Sequence, residues 1–299
     1  MPEAPDEGSL PDIVCLMGTG RSGTTILEIL LANNPGFFGI GEAVHIFKDG
    51  FMRNVQCSCG AAARDCLVWS EVKRRSGWND EGNERHDALF RQYGWHSRFP
   101  LLALGLDSRT AREEFREINR GLFNAVQSCR NASVVVDSSK YAGRALSLAR
   151  LFPGRVRVIC VTRSPVGLIK AFRKNDAGEQ LPKSPLETLV YYVYVLACLR
   201  IAAWLLGKRV LHVRYDELAR EPVAVLDRVG RFLGRDLGAS MKKVSRQECL
   251  EIGHIVTGNR IRLEGRIVFR PTSREELLDG REERIVAWLM DSYRRALRL

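Results

Sequence analysis

The chain of 299 residues predicts an α/β fold, a parallel sheet held between layers of helices. Three observations lead there. Short runs rich in Val, Ile and Leu recur at residues 13–17, 133–136, 156–161 and 210–213, short enough for strands and apolar enough to be buried on both faces. Between them apolar residues repeat at helical spacing, and strand alternating with helix implies parallel pairing. The residues able to do chemistry fall directly after the strands, at the carboxyl edge where such sheets bind ligands.

The elements follow in order from periodicity and breakers. Residues 13–17 form the first strand and residues 24–33 the first helix, closed by Asn34-Pro35-Gly36. Residues 36–110 are irregular and rich in Trp, His and Arg, with short helices only. So long an interruption between core elements predicts a substrate-side insertion or lid, and its Trp- and Arg-rich part, residues 69–99, is expected to face the substrate. An amphipathic helix spans 112–128. The run at 133–136 ends in Asp137-Ser138-Ser139-Lys140 and is followed by a helix over 144–151. The strand at 156–161 leads into Thr162-Arg163-Ser164-Pro165 and a helix reaching Lys174. Ser184-Pro185-Leu186-Glu187 combines a capping box with proline at the first helical position, so a long helix begins there. The strand at 210–213 ends at Arg214-Tyr215-Asp216. Nothing divides the chain, which reads as one domain over 1–299.

Forty-six Lys and Arg against thirty-five Asp and Glu leave a net charge of +11. The arginines are scattered among acids with no aromatic-interleaved stripe, so a polyanionic cofactor, an acidic acceptor or simple solubility accounts for the surplus, and no nucleic-acid partner is expected. Residues 1–12 are polar and acidic, without the basic start and apolar core of a signal peptide. The longest apolar stretch, 189–206, is interrupted by Arg200 and rich in Tyr and Ala, and is expected to be a buried helix and not a membrane span. A cytoplasmic protein is expected.

Of eight cysteines, Cys15, Cys129, Cys160 and Cys198 lie in apolar segments and read as buried reduced thiols. Cys57, Cys59 and Cys66 cluster in a Gly- and Ala-rich loop that reads as half a zinc site, a disulfide with a spare thiol, or a plain loop. With C-x-C spacing and no fourth ligand assigned, no metal is predicted.

Residues 18–25, Gly-Thr-Gly-Arg-Ser-Gly-Thr-Thr, join the first strand to the first helix. Small residues there let consecutive N–H groups curl around an anion, and the helix adds the positive end of its dipole. Gly18 and Gly23 nearly fit the nucleotide pattern G-x-x-x-x-G-K-[ST], but Thr24 stands at the lysine and Arg21 lies inside the loop. The loop resembles the 5′-phosphosulfate loop of sulfotransferases that use 3′-phosphoadenosine-5′-phosphosulfate (PAPS), most closely the Golgi carbohydrate and tyrosylprotein enzymes and their bacterial relatives. The resemblance implies a P-loop-type three-layer parallel sheet flanked by helices, with a helical or irregular acceptor-binding insertion at 36–110. It implies sulfuryl transfer from PAPS to a hydroxyl of a carbohydrate, lipid, peptide or secondary metabolite.

On that resemblance, Gly20, Arg21, Ser22, Gly23, Thr24 and Thr25 would hold the 5′-phosphate, and Arg21 and Lys140 would neutralise charge around the moving group. Asp137 would orient, not bind metal. Arg163 and Pro165 match the 3′-phosphate segment, but Ala171 stands where a serine is expected, leaving Lys170 or Arg173 to substitute. Tyr215 would lie near the adenine, and Arg260 and Arg262 in a segment closing over the phosphates. Glu42 is the expected base and His45, three residues on, the alternative. A P-loop kinase or nucleotide-binding protein using ATP and Mg is the rival: Asp137 resembles in kind the metal-holding acid of that class, while Thr24 speaks against it.

Overall fold

Five parallel strands in the order β2-β3-β1-β4-β5 form the centre of the computed structural model, which describes residues 10–174, 182–271 and 278–297. They are β1 (Asp12–Gly18), β2 (Phe37–Gly39), β3 (Val134–Lys140), β4 (Val156–Thr162) and β5 (Val210–Arg214). Side chains alternate across the sheet. Ile13, Cys15 and Met17 of β1 enter one apolar core and Val14 and Leu16 the other, which makes three layers.

One outer layer holds α1 (Thr24–Ala32), α10 (Pro222–Leu233) and α11 (Gly238–Ser245), with α9 (Tyr215–Arg220) leading into it. The short antiparallel pair β6 (Cys249–Glu251) and β7 (Arg266–Val268) packs on this side. The opposite layer holds α5 (Arg109–Arg130), α6 (Ala142–Leu151), α7 (Pro165–Arg173), α8 (Pro185–Leu206) and α12 (Arg281–Ala296). On it lie α2 (Leu67–Arg75), α3 (Asn83–Gly94) and α4 (Phe99–Ala103). The expected α/β class and the capping box at Ser184 are both present.

Three departures from the sequence reading have physical causes. Residues 37–39, read as irregular, pair with β3 as the sheet's edge strand, too short to show periodicity. Most aromatics of the stretch 69–99 point inward: Trp69, Phe90, Tyr93 and Phe99 are buried and Trp78 packs against Phe47 and His86, while His96 borders a cleft. These aromatics form a core beneath the insertion. Helix α8 is buried on one face only. Tyr192, Leu196 and Leu199 are buried, whereas Leu186, Val190, Ile201 and Trp204 are exposed, and by length and composition α8 is the one described helix apolar enough to cross a membrane.

Candidate active site

The loop between β1 and α1 turns at Arg21 (φ 66°) and Gly23 (φ 94°), both left-handed. Glycine at 23 is compulsory for a second reason, since a Cβ there would lie 2.1 Å from the Tyr215 ring. A Cβ on Gly18 would lie 2.4 Å from the Val161 carbonyl oxygen, so the loop sits directly on β4. The hydroxyls of Thr19 and Ser22 are buried here without a hydrogen-bond partner. Buried donors beside the N-terminus of a nine-residue helix suit an anion. Gly20 N donates to Tyr191 Oη at 2.7 Å, which ties the loop to α8.

Lys140 reaches the same space through an irregularity in β3. Cys15 pairs with Asp137 and Met17 with Lys140, so β3 has one more residue than β1 over this interval. The shift, with Lys140 at φ 73°, swings its side chain off the sheet. Its Nζ donates to Glu42 Oε1. Asp137 faces away, its carboxylate accepting from Arg144 Nε at 2.6 Å and from the backbone N–H of Ser139 at 3.0 Å. Both members of the Asp137–Arg144 pair are buried, and Ser139 Oγ accepts from Val44 N at 3.1 Å. Asp137 therefore orients the strand end and the turn carrying Glu42.

Glu28, on α1, does the same from the other side and has no motif context in the sequence. One carboxylate oxygen accepts from Gly41 N at 2.6 Å and the other from Ser138 Oγ at 2.6 Å. It lies between the residues preceding Glu42 and those preceding Lys140. Burial pushes its carboxyl up to about 8, against the two hydrogen bonds. The only sequence signal is an acid within the apolar run Ile26-Leu27-Glu28-Ile29-Leu30-Leu31.

Glu42 is itself pinned by the segment after β6. Thr257 Oγ1 donates to the Glu42 carbonyl at 2.7 Å, and Glu42 N donates to the Thr257 carbonyl at 3.2 Å. His45 Nε2 lies 3.9 Å from Glu42 Oε2, in a single 3₁₀ turn (Ala43–His45) that brings the two together as the spacing implies. Burial lowers the His45 pKa, against the pull of Glu42.

Arg163 follows β4. Its guanidinium stacks 5.0 Å from the Tyr215 ring centre, and Nη1 donates to the Arg21 carbonyl at 3.4 Å. Asp216 accepts from Ser164 N at 2.8 Å and so fixes the turn that presents Arg163.

These residues line one open cleft of about 1200 Å³. Gly20, Arg21, Gly23, Thr24, Thr25, Glu42, His45, Lys140, Arg163 and Tyr215 all border it, with Ser22 buried behind. Lys170 and Ala171 border it too, whereas Arg173 is not among its lining residues and pairs with Glu283 at 2.8 Å. Arg262 borders the cleft and donates to the Gln56 carbonyl at 2.7 Å. Arg260 is exposed outside it, because the 3₁₀ turn over Arg260–Glu264 points the two arginines apart. Sequence reasoning missed His96, Tyr141, Tyr191 and Lys183, which border the cleft without motif context. Burial holds His96 down to about 4, so it is neutral at physiological pH. Outside the cleft, Cys57, Cys59 and Cys66 meet a fourth candidate ligand that spacing did not reveal, His254.

A sequence profile described as the sulfotransferase family matches residues 11–238. No curated protein sequence matches the chain. Similar solved structures include the sulfotransferase domain from the curacin biosynthetic pathway, at 16% identity and TM-score 0.49, with 94% of this chain and 98% of that one covered. Sulfotransferase STF9 from Mycobacterium avium, at 12% identity and TM-score 0.49, is covered over 68% of its length by 82% of this chain. Mouse sulfotransferase SULT7A1 complexed with PAP is covered over 89% by 95% of this chain, at 12% identity and TM-score 0.46.

Proposed function

This chain belongs to the sulfotransferase family and is a sulfotransferase; on that premise we propose that the cleft binds PAPS and transfers its sulfuryl group to a hydroxyl, with Glu42 as base and Lys140 as the cation at the moving group. Membership implies a PAPS-type sulfonate donor. Such a donor supplies a sulfuryl group already bonded to a good leaving group, the 5′-phosphate. The residues fit it: two buried hydroxyls without protein partners, those of Thr19 and Ser22 in the loop before α1, and Lys140, Arg163, Lys170 and Lys183 around one cleft. The observation that carries the reading is the Lys140–Glu42 contact beside the Arg21–Thr25 turn, since it puts a cation and a carboxylate at one point in front of a phosphate cradle.

The division of labour follows from charge. N–H groups of residues 20–25 with the Ser22, Thr24 and Thr25 hydroxyls would hold the 5′-phosphate. Arg163, beside Tyr215, would take the 3′-phosphate through its planar fork, with Lys170 adding charge where Ala171 supplies no hydroxyl. Glu42 would accept the acceptor's proton as the new sulfur–oxygen bond forms and the bond to the phosphate oxygen breaks. Lys140 would then leave Glu42 and follow the charge growing on the leaving oxygen. His45 stands within reach as a second, uncharged base.

Hydroxyls of carbohydrates, lipids, peptides or secondary metabolites all meet this chemistry. A kinase reading is not favoured, because Thr24 replaces the phosphate-binding lysine and Asp137 is committed to Arg144 and Ser139. Calorimetric titration with 3′,5′-adenosine bisphosphate and, in parallel, ATP with Mg²⁺ tests the reading. Metal-independent binding of the bisphosphate, lost in Arg163→Ala, is the expected result. Preference for ATP with Mg²⁺ would sink it.

A further inference from the structure

We propose that Cys57, Cys59, Cys66 and His254 form a structural zinc site that clamps the loop after residue 53 to the C-terminal segment bordering the active-site cleft. Their four ligand atoms lie within 4.8 Å of one another. Cys59 Sγ is 3.7 Å from Cys66 Sγ, and Cys66 Sγ is 3.3 Å from His254 Nδ1. Zinc–sulfur and zinc–nitrogen bonds of ordinary length in a tetrahedron place sulfurs about 3.8 Å apart and sulfur and nitrogen about 3.6 Å apart. The cluster is thus close to the spacing zinc requires. Three thiolates and an imidazole are a donor set that selects zinc over the oxygen-seeking cations.

The surrounding backbone holds the cysteines in a tight turn. Gly60 N donates to the Cys57 carbonyl at 2.9 Å, closing a turn around Cys59, and Gly60 adopts φ 92°, which a side chain would strain. Cys66 is the residue before α2, so its side chain sits at the start of that helix. Trp69 Nε1 donates to the His254 carbonyl at 2.7 Å and fixes the segment that offers the imidazole. No cysteine among the described residues is in a disulfide.

What such a site would hold together follows from its neighbours. Ser58 N donates to the Ile255 carbonyl at 3.0 Å, and Ile255 N donates to Ser58 Oγ at 2.6 Å. Two residues on, Thr257 grips Glu42, and Val256 to Asn259 border the cleft. A four-bond metal link between His254 and the Cys57–Cys66 loop would hold this segment on Glu42. The inference stands on these four residues and not on the assignment of the donor or acceptor.

Elemental analysis of the reduced full-length protein, purified without a metal-chelating resin, is expected to find about one zinc per chain. Replacement by cobalt is expected to give thiolate-to-metal charge-transfer absorption. Cys59→Ser, at an exposed ligand, and His254→Asn should both lose bound zinc and that absorption, while Cys249→Ser, an exposed cysteine outside the cluster, keeps them. Circular dichroism of each variant separates ligand loss from unfolding. Absence of zinc together with failure of the reduced, folded protein to take up zinc or cobalt would overturn the proposal. So would a Cys59–Cys66 disulfide found by mass spectrometry in the protein as isolated, or unchanged zinc content in both ligand variants.

Discussion

Lys140 Nζ donates to Glu42 Oε1 across 98 residues of sequence, and each partner is held by its own buried acid. Asp137 shapes the strand end before Lys140, and Glu28 holds the Gly41 N–H before Glu42. The two acids therefore set the distance between a cation and a carboxylate that chemistry at this site would use together. Neither acid borders the cleft.

Glu42→Gln keeps the shape of the side chain and removes its proton affinity. Turnover should fall by about 10²- to 10⁴-fold, while calorimetric affinity for 3′,5′-adenosine bisphosphate is retained. Steady-state kinetics with an accepted hydroxyl compound checks this; unchanged turnover would shift the role of base to His45.

Arg144→Met removes one partner of a pair in which both side chains are almost fully buried, at 2% and 1% exposure. The Asp137 charge is then stranded, and unfolding free energy should drop by about 3–5 kcal/mol. Denaturant titration reads the loss. A drop under about 1 kcal/mol would mean that water or another donor reaches Asp137.

Glu28→Gln tests the raised carboxyl. In the unfolded chain this group ionises near its ordinary value of 4.5, but in the fold it keeps its proton up to about 8. Between those values the unfolded state binds fewer protons, so this group's stabilising contribution is complete below 4.5 and is lost as pH rises to about 8. The slope is at most about 1.4 kcal/mol per pH unit. Thermal melts across that range should show the decline in the parent protein and a flatter profile in Glu28→Gln.

Gly23→Ala meets both a left-handed backbone and the Tyr215 ring, 2.1 Å from the new methyl. A cost of about 1–3 kcal/mol in stability is expected, with weakened nucleotide binding as Tyr215 is displaced from Arg163. Differential scanning calorimetry and bisphosphate titration check the two effects.

Ala171→Ser places a hydroxyl on a cleft-lining position of α7. If the 3′-phosphate lies beside it, one added hydrogen bond should tighten bisphosphate binding by roughly twofold to tenfold, with no change for adenosine 5′-phosphate. Equal effects on both nucleotides would place the 3′-phosphate elsewhere.

Much of this was legible in the chain because it is local. Strand, turn and helix at residues 12–32 follow from an apolar run, glycines and helical spacing, and Ser184-Pro185-Leu186-Glu187 carries its own cap. The resemblance to sulfotransferase loops singled out Arg21, Lys140 and Arg163, which stand in the loop after β1, at the last residue of β3 and directly after β4, and all three border one cleft. In residues 69–99 aromatic composition did not say which way each ring points: Trp69, Phe90, Tyr93 and Phe99 filled a core, whereas His96 borders the cleft.

By itself, then, the sequence determined the layered parallel fold and the glycine-rich turn between β1 and α1, since both arise from backbone preferences and side-chain periodicity within a few residues. Tertiary structure alone decided that Glu28 would stand under Gly41 and Ser138, that Arg260 and Arg173 would turn away while Arg262 and Lys170 faced the cleft, and that His254 would meet three cysteines 188 or more residues earlier. Those outcomes depend on how distant segments pack, and packing responds to volume and burial over the whole chain, which no local spacing encodes.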